Sequence, residues 1–478
     1  MLNNDVLLEI FNHNRLADKK GWNVRFRWCK LSHVCRRWRH LIYRSSSYLK
    51  MHLHLTNGDP ITDMLANLPP MPLVINHENR SATTTDEEEG GILLALQQYD
   101  RTRHVVLQAP SQSLHKLLVP MGKPFARLES LSLSSTTEED TSLTLPNTFL
   151  APNLRHLIML GLGFPTGMPL LASTVALVTL TLTNIQPSGY FPPDCLVTHL
   201  QFLPQLEELS IGFSTPLPRP SGERELWRVS ITQVTVPALK HLIFQGVGAY
   251  LESLVARISA PLLDRLSITL FNQLAYSLPH LSHFTTSTQG LRSPVGKVAF
   301  SKDAVSIIIG HCDQPGDRNF NLKINCKEFD WQIDSAAQVC GVLMPVLSIV
   351  EELTLSIDKH RMPSEWQSDA VDSIVWHELL LPFVGVRKLH VDGSTLALEL
   401  FSALEADDAG LVPELLLELV EIEVDLEDKH TNNSFAGFVE ARQLAGRPVY
   451  LRAWAPHYNR MTVGVMRPIT IIGPFPAE

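Results

Sequence analysis

Apolar residues follow two rhythms along this chain. In residues 1–50 the spacing is helical. Val6, Leu7, Ile10 and Phe11 fall at i, i+1, i+4 and i+5, with Asp5 placed to cap or open the turn. Leu31, Val34, Trp38 and Leu41 follow at steps of three, four and three, widened by Cys35 and Ile42. Each set predicts a helix with one apolar face. Arg36, Arg37, Arg39 and His40 fall on or near the opposite face of the second helix, and a polar, cationic connector joins the two.

Residues 51–90 change character. "MHLHL" alternates as a strand does, "ITDMLANL" is helix-like and "PLVI" is a short apolar strand. "NRSATTTDEEEGG" reads as a polar loop.

From residue 91 to about 450 one unit returns, L-x-x-L-x-L or a near relative. It occurs as "LESLSL" from Leu128, "LRHLIM" from Leu154, "LVTLTL" from Leu177, "LEELSI" from Leu206 and "LKHLIF" from Leu239. "LDRLSI" from Leu263, "VEELTL" from Val350, "VRKLHV" from Val386 and "LVEIEV" from Leu419 continue it. The first intervals are 26, 23, 29 and 33 residues, so the array is irregular. Helix-like stretches ("CLVTHLQFL", "YLESLVARI", "AAQVCGVLM", "SIVWHELL") lie between several copies, and a proline precedes many of them, as in "APN", "LPQ", "VPA" and "APL". One short strand with one helix cannot bury its apolar face, but stacked copies can. The expected fold is therefore an α/β solenoid with a parallel sheet. "KVAF", "VSIII" and "LKINCK", between 295 and 335, read as strands with no helices between them, hence a hairpin or sheet excursion. Residues 451–478 read as a tail.

Charge divides along the same lines. The chain carries 40 Lys/Arg and 49 Asp/Glu, a net −9. Residues 1–50 nevertheless hold 11 Lys/Arg against 3 Asp/Glu. The acidic whole argues against a nucleic-acid binder, whose phosphate contacts need a basic face. The basic start suits an acidic protein partner. Six cysteines without a Cys-x-x-Cys, an N-terminus without a secretory pattern and a longest apolar run broken by Pro345 predict a cytoplasmic or nuclear protein with no membrane span.

Candidate chemistry is sparse. "GLRSPVGKV" (290–298) resembles a phosphate loop, but it has five residues between its glycines and Val298 where a magnesium-binding hydroxyl belongs. His52 and His54 share one strand face, and His311, Cys312 and Cys326 could meet in space; neither set has the spacing of a metal site. There is no Gly-x-Ser-x-Gly elbow. Asn79 and Asn432 head glycosylation-type triplets without a secretory context. The acidic runs 86–89 and 138–140 read as solvated loops. Accordingly no catalytic residue, metal or cofactor is expected, and the chain is not expected to be an enzyme. The first 50 residues hold more apolar surface than they can hide, which predicts a covering partner.

"LNNDVLLEIF", Leu16 and "KLSHVCRRWRHLI" together resemble an F-box, with Val34, Cys35, Arg36 and Trp38 as the specific part. The body, including "FVEARQLAGRPV" near the end, is similar to fungal (basidiomycete) F-box proteins with degenerate leucine-rich repeats. The resemblance implies an all-α F-box module at 1–50; with the patterns above, the expected order is that module, a strand-helix-strand start and acidic loop at 51–90, an irregular leucine-rich-repeat-like body at 91–450 and a tail at 451–478. It implies that the F-box binds an acidic Skp-family adaptor and through it a cullin–RING ubiquitin ligase, while the body holds an unidentified protein substrate. Carried over by position, Val6, Leu7, Ile10, Phe11 and Leu16, then Leu31, Val34, Cys35, Trp38 and Leu41, would face the adaptor or a small core. Trp38 would be the hot spot, worth about 2–4 kcal/mol on truncation. The other implied use of such a body is a protein-interaction scaffold without ubiquitin transfer.

Two departures stand out. Leu2-Asn3 replaces the usual Leu-Pro, and the connector is long. The repeats also lack the asparagine expected eight residues after each start; Thr136, Leu162, Ile185, Ser214 and Val247 stand there. The strand faces expected to point outward carry Ser132, Thr181, Ser210 and Ser267.

Overall fold

A computed structural model of the chain describes residues 2–16, 27–46, 48–49, 51–68, 70–78, 86–137, 143–163, 169–216, 233–310, 319–358, 373–405, 415–425, 436–444, 446–454 and 471–472. It divides into two compact units, Met1–Ser214 and Thr215–Glu478.

The first unit opens with helices α1 (Asn4–Leu16), α2 (Arg27–Ser32) and α3 (Arg36–Arg44). Seven strands follow: β1 (Leu53–Thr56), β2 (Leu73–Glu78), β3 (Thr102–Ala109), β4 (Ser130–Ser135), β5 (His156–Leu160), β6 (Thr179–Ile185) and β7 (Glu208–Phe213). Each pairs in parallel with the next, in chain order. Parallel neighbours need a crossover, here supplied by α4 (Ile61–Asn67), α5 (Asp86–Leu96), α6 (Ser111–Leu118), α7 (Pro169–Ser173) and α8 (Pro193–Leu200). β4 and β5 are joined with no helix among the described residues.

The motif explains the register. Its fourth positions stack across the sheet, Leu131 on Leu157, Leu157 on Leu180 and Leu180 on Leu209. First, fourth and sixth positions of all nine copies are buried to 3% exposure or less. Each such side chain contributes about 1.5–3 kcal/mol on burial. The first position closes a turn, its backbone N–H donating to the carbonyl three residues earlier, as Leu154 does to Ala151 at 3.0 Å and Leu206 to Leu203 at 3.2 Å. This gives the prolines their role. Pro152, Pro204, Pro237 and Pro261 each hold the second position of that four-residue turn, where a φ locked near −65° is already correct.

The second unit carries β8 (Val234–Thr235), β9 (His241–Gly246), α9 (Gly248–Val255), β10 (Ile258–Ser259), β11 (Arg265–Phe271), α10 (Pro279–Ser287), β12 (Val295–Ser301), β13 (Ala304–Gly310) and β14 (Asn319–Asn325). It continues through α11 (Phe329–Val342), α12 (Met344–Leu347), β15 (Glu352–Ile357), α13 (Ser373–Leu380), β16 (Lys388–Asp392), α14 (Ser394–Glu405), β17 (Glu421–Asp425), α15 (Ala436–Leu444), β18 (Tyr450–Trp454) and β19 (Ile471–Ile472). Its main sheet runs β9-β11-β14-β13-β12-β15-β16-β17-β18-β19. The predicted excursion is the antiparallel meander β12-β13-β14, inserted so that β14 pairs with β11 and β12 with β15, both in parallel. β8 and β10 form a separate parallel pair. β18 runs across 450/451, so the array extends into the stretch read as a tail.

Two local expectations are corrected. The stretch 86–91, read as loop, begins α5: Asp86, Glu87, Glu88 and Glu89 fill its first turn, where carboxylates complement the positive end of the helix dipole. Ser210 shares the strand face of Thr181, as expected, but it is buried there rather than open to solvent. The segment "GLRSPVGKV", whose spacing already fell short of a phosphate loop, runs into a strand: Gly296–Val298 lie in β12, and Gly290 lies so close to the Leu263 carbonyl that a side chain would collide with it. Residues 79–81, 138–140, 311–312 and 432–434 lie outside the described residues.

Candidate functional site

Leu7 and Phe11, one turn apart on α1, are buried to 2% and 3% exposure. Val6 and Ile10 are displaced about 100° around the helix, and both are 45% exposed. The single apolar face expected for α1 is thus two, one turned inward and one turned to solvent. Phe11 meets Trp38 of α3 edge to face, with ring centroids 4.9 Å apart. Trp38 is half-buried and Ile42, further along α3, is fully buried.

The expected continuous second helix is broken. α2 ends at Ser32, with the N–H groups of His33 and Val34 donating back to the carbonyls of Lys30 and Leu31. Cys35 then adopts an extended backbone as the N-cap of α3, and its Sγ accepts from the Trp38 N–H at 3.4 Å. A side-chain acceptor there meets one of the four orphan donors of a helix start. Val34 sits in the break, 60% exposed, off the stripe it was expected to share with Leu31, Trp38 and Leu41. Leu31 and Leu41 are half-buried and Cys35 is exposed. Leu16 ends α1, and its side chain lies outside the described residues.

Polar contacts hold this arrangement together. The Arg37 guanidinium donates to the Leu2 carbonyl at 2.6 Å and to Asn4 Oδ1 at 2.8 and 3.2 Å, pinning the start of α1 to α3. Arg39 Nε donates to the Ser32 carbonyl at 3.0 Å, tying α3 to the end of α2. Tyr48 donates to Glu9 Oε1 at 2.5 Å, a bond that raises the phenol above its ordinary range. Arg36, His40 and Arg44 are exposed beside Val34 and Trp38 in sequence. The module thus leaves Val6 and Ile10 of α1 and Val34 of the α2–α3 break exposed to solvent, with exposed cations on α3. The sequence pattern placed Arg37 only among the cations of the polar helix face and did not single out Tyr48. Their roles depend on partners more than 30 residues away in the chain, and no local pattern encodes those.

The histidines do gather, with a member the sequence did not suggest. His52 lies 6.3 Å from His54 and 5.8 Å from His104 between ring centroids. Burial, aided by the neighbouring His104, His54 and Arg103, brings His52 down to about 4, with Glu129 opposing. Burial also lowers His104. Among the described residues no three His, Cys, Asp or Glu side chains are placed to hold a metal ion. Cys326 and Cys340 are buried thiols whose pKa burial raises. Among the described residues no helix is long and apolar enough to cross a membrane.

Comparison with protein-family models gives no match, and comparison with curated proteins gives none. Among solved structures, the chain is similar to one described as the complex of Rad7 and Elc1 in yeast, at 13% identity over 88% of each chain with a TM-score of 0.28. A leucine-rich repeat-containing protein, LegL7 of Legionella pneumophila, is similar at 13% identity over 83% of this chain and 98% of that one, with a TM-score of 0.23. Likenesses at this level carry no functional argument. What stands is an α/β chain with a large, mostly parallel sheet built on a leucine-rich motif.

Proposed function

We propose that this chain is a non-enzymatic substrate-recognition subunit of a Skp–cullin–F-box ubiquitin ligase, docking through its N-terminal helices while the strand array holds a protein substrate. The observation that carries the reading is the pairing of buried Leu7 and Phe11 with exposed Val6, Ile10 and Val34. Three large apolar side chains in water on one small helical module offer surface for a partner to cover. The resemblance of Val34-Cys35-Arg36-x-Trp38 to the F-box supplies the kind of partner, an acidic Skp-family adaptor, and the exposed cations of α3 suit it electrostatically.

Apolar burial supplies the affinity, and rim cations mainly speed encounter. Val6 and Val34 are therefore better hot-spot residues than Trp38, whose ring already packs on Phe11. The test is capture of purified Skp-family adaptor by the full chain. Val6→Asp and Val34→Asp should abolish capture with an unchanged far-ultraviolet spectrum. Arg36→Glu should slow association more than it speeds dissociation. A wild-type chain that fails to capture the adaptor removes the proposal and leaves an interaction scaffold.

A further inference from the structure

Between the turn after β1 and the first turn of α5 lies a cleft of about 220 Å³. Four carboxylates line it, Asp59, Asp63, Glu87 and Glu88, and its apolar wall includes Ile61 and Ile92. His77, the fifth residue of β2, lines it too. Its side chain is 0% exposed, and neither ring nitrogen has a hydrogen-bond partner. A buried imidazole with both nitrogens unsatisfied is costly and calls for an explanation.

The carboxylates and the imidazole together describe the missing partner. The helix starts of α4 and α5 face this region, but each contributes only about half a positive charge, so the carboxylates dominate and the cleft favours a cation. Among the described residues no three side chains converge on a metal ion. A polyatomic cation, which spreads several N–H donors over distant acceptors, suits the spacing better. The cleft is smaller than the roughly 300 Å³ at which small-molecule sites begin. It suits one long cationic side chain, with its methylene stem along Ile61 and Ile92 and its head among the acids.

We propose that this cleft receives a lysine or arginine side chain from a basic segment of a protein partner, donating to His77 in the floor and to the carboxylates at the rim. The site is independent of the adaptor reading, because among the described residues none of α1–α3 lines it. Asp59 is preset for the task. Its Oδ2 accepts from the Thr56 N–H and hydroxyl, both at 2.7 Å, which holds the turn and leaves Oδ1 to a ligand.

The test uses the full chain labelled with 15N-histidine, the His77 ring signals being assigned by their loss in His77→Gln. N-acetyl-lysine amide and N-acetyl-arginine amide are titrated beside neutral counterparts, the Nε-acetylated lysine and citrulline. A saturable shift of His77 with either cation, absent with its neutral counterpart, is expected at millimolar concentration, and the two cations separate an ammonium from a guanidinium preference. Glu87→Gln with Glu88→Gln should weaken the response about tenfold, and added salt should weaken it further. No saturable shift, equal shifts with the neutral probes, or a response unchanged in the double variant would each overturn the proposal. Should His77→Gln fail to fold, any saturable, cation-specific histidine shift is tested against the double variant, and a shift that the variant leaves unchanged overturns the proposal.

Discussion

Phe11 and Trp38 meet edge to face across α1 and α3, with ring centroids 4.9 Å apart at an interplanar angle of 65°. Their contact joins the two pieces of chain that the helical patterns delineate separately. Edge-to-face pairs contribute about 0.5–1.5 kcal/mol beyond the area they bury. A double-mutant cycle on Phe11→Leu and Trp38→Leu, read by hydrogen exchange of the α1 amides, should return a coupling of about 1 kcal/mol. A coupling indistinguishable from zero refutes the pair as a stabilising contact.

The N-cap at Cys35 predicts an asymmetry between two small substitutions. Cys35→Ser keeps an acceptor for the Trp38 N–H, and oxygen serves that role better than sulfur. Cys35→Ala leaves the donor without one, at a cost of about 1 kcal/mol. Exchange of the Trp38 amide should quicken about fivefold in Cys35→Ala and not in Cys35→Ser. Equal exchange in both would mean the thiol does no capping.

His52 makes the first unit sensitive to acid. Its folded pKa is lowered to about 4, chiefly by burial and then by His104, His54 and Arg103, against about 6.5 in the unfolded chain. The unfolded state therefore takes up a proton first. The stability is fully present above pH ~6.5 and is lost as pH falls through the interval down to about 4. Denaturant midpoints of the wild type should decline over this window, and His52→Gln should flatten the decline. An equally steep slope in the variant would assign it to other groups.

Glu252 gives the opposite sign in the second unit. Its carboxylate accepts from the N–H groups of His280 and Leu281, both at 2.8 Å, and so caps α10 from the neighbouring helix α9. Burial nevertheless raises its pKa, outweighing those bonds. A raised folded pKa means stability that is complete below the ordinary carboxylate range and is lost as pH rises through the folded value. Relative to Glu252→Gln, the wild type should lose protection of the α10 amides as pH rises above the ordinary carboxylate range. A difference that stays constant with pH would show that Glu252 does not titrate there.

The repeat motif was legible because its physics is local and recurrent. An apolar residue that closes a turn, then two that alternate inward, needs only a few neighbouring residues to be recognised, and all nine copies are buried strands or strand starts. The meander β12-β13-β14 was legible for the same reason, three alternating runs without helices. The candidate site was read only in part. The pattern identified the apolar residues of α1, but Leu7 and Val6 are neighbours in sequence and equivalent in hydrophobicity, and only the packing of Phe11 on Trp38 separates the inward pair from the outward one.

What the sequence determined by itself was the alternation of strands with helices, the parallel pairing it requires and the concentration of cations in the first 50 residues, because each follows from spacing and composition along the chain. Tertiary structure alone decided where the second N-terminal helix breaks, since Cys35 caps only once Trp38 is placed. It also decided that Arg442, buried at 1% exposure, donates to the carbonyls of Leu415, Leu416 and Leu419, and that His77 lines one cleft with four carboxylates. In each case the partner comes from another turn or element of the fold, and a buried polar group is defined by whatever surrounds it rather than by its place in the chain.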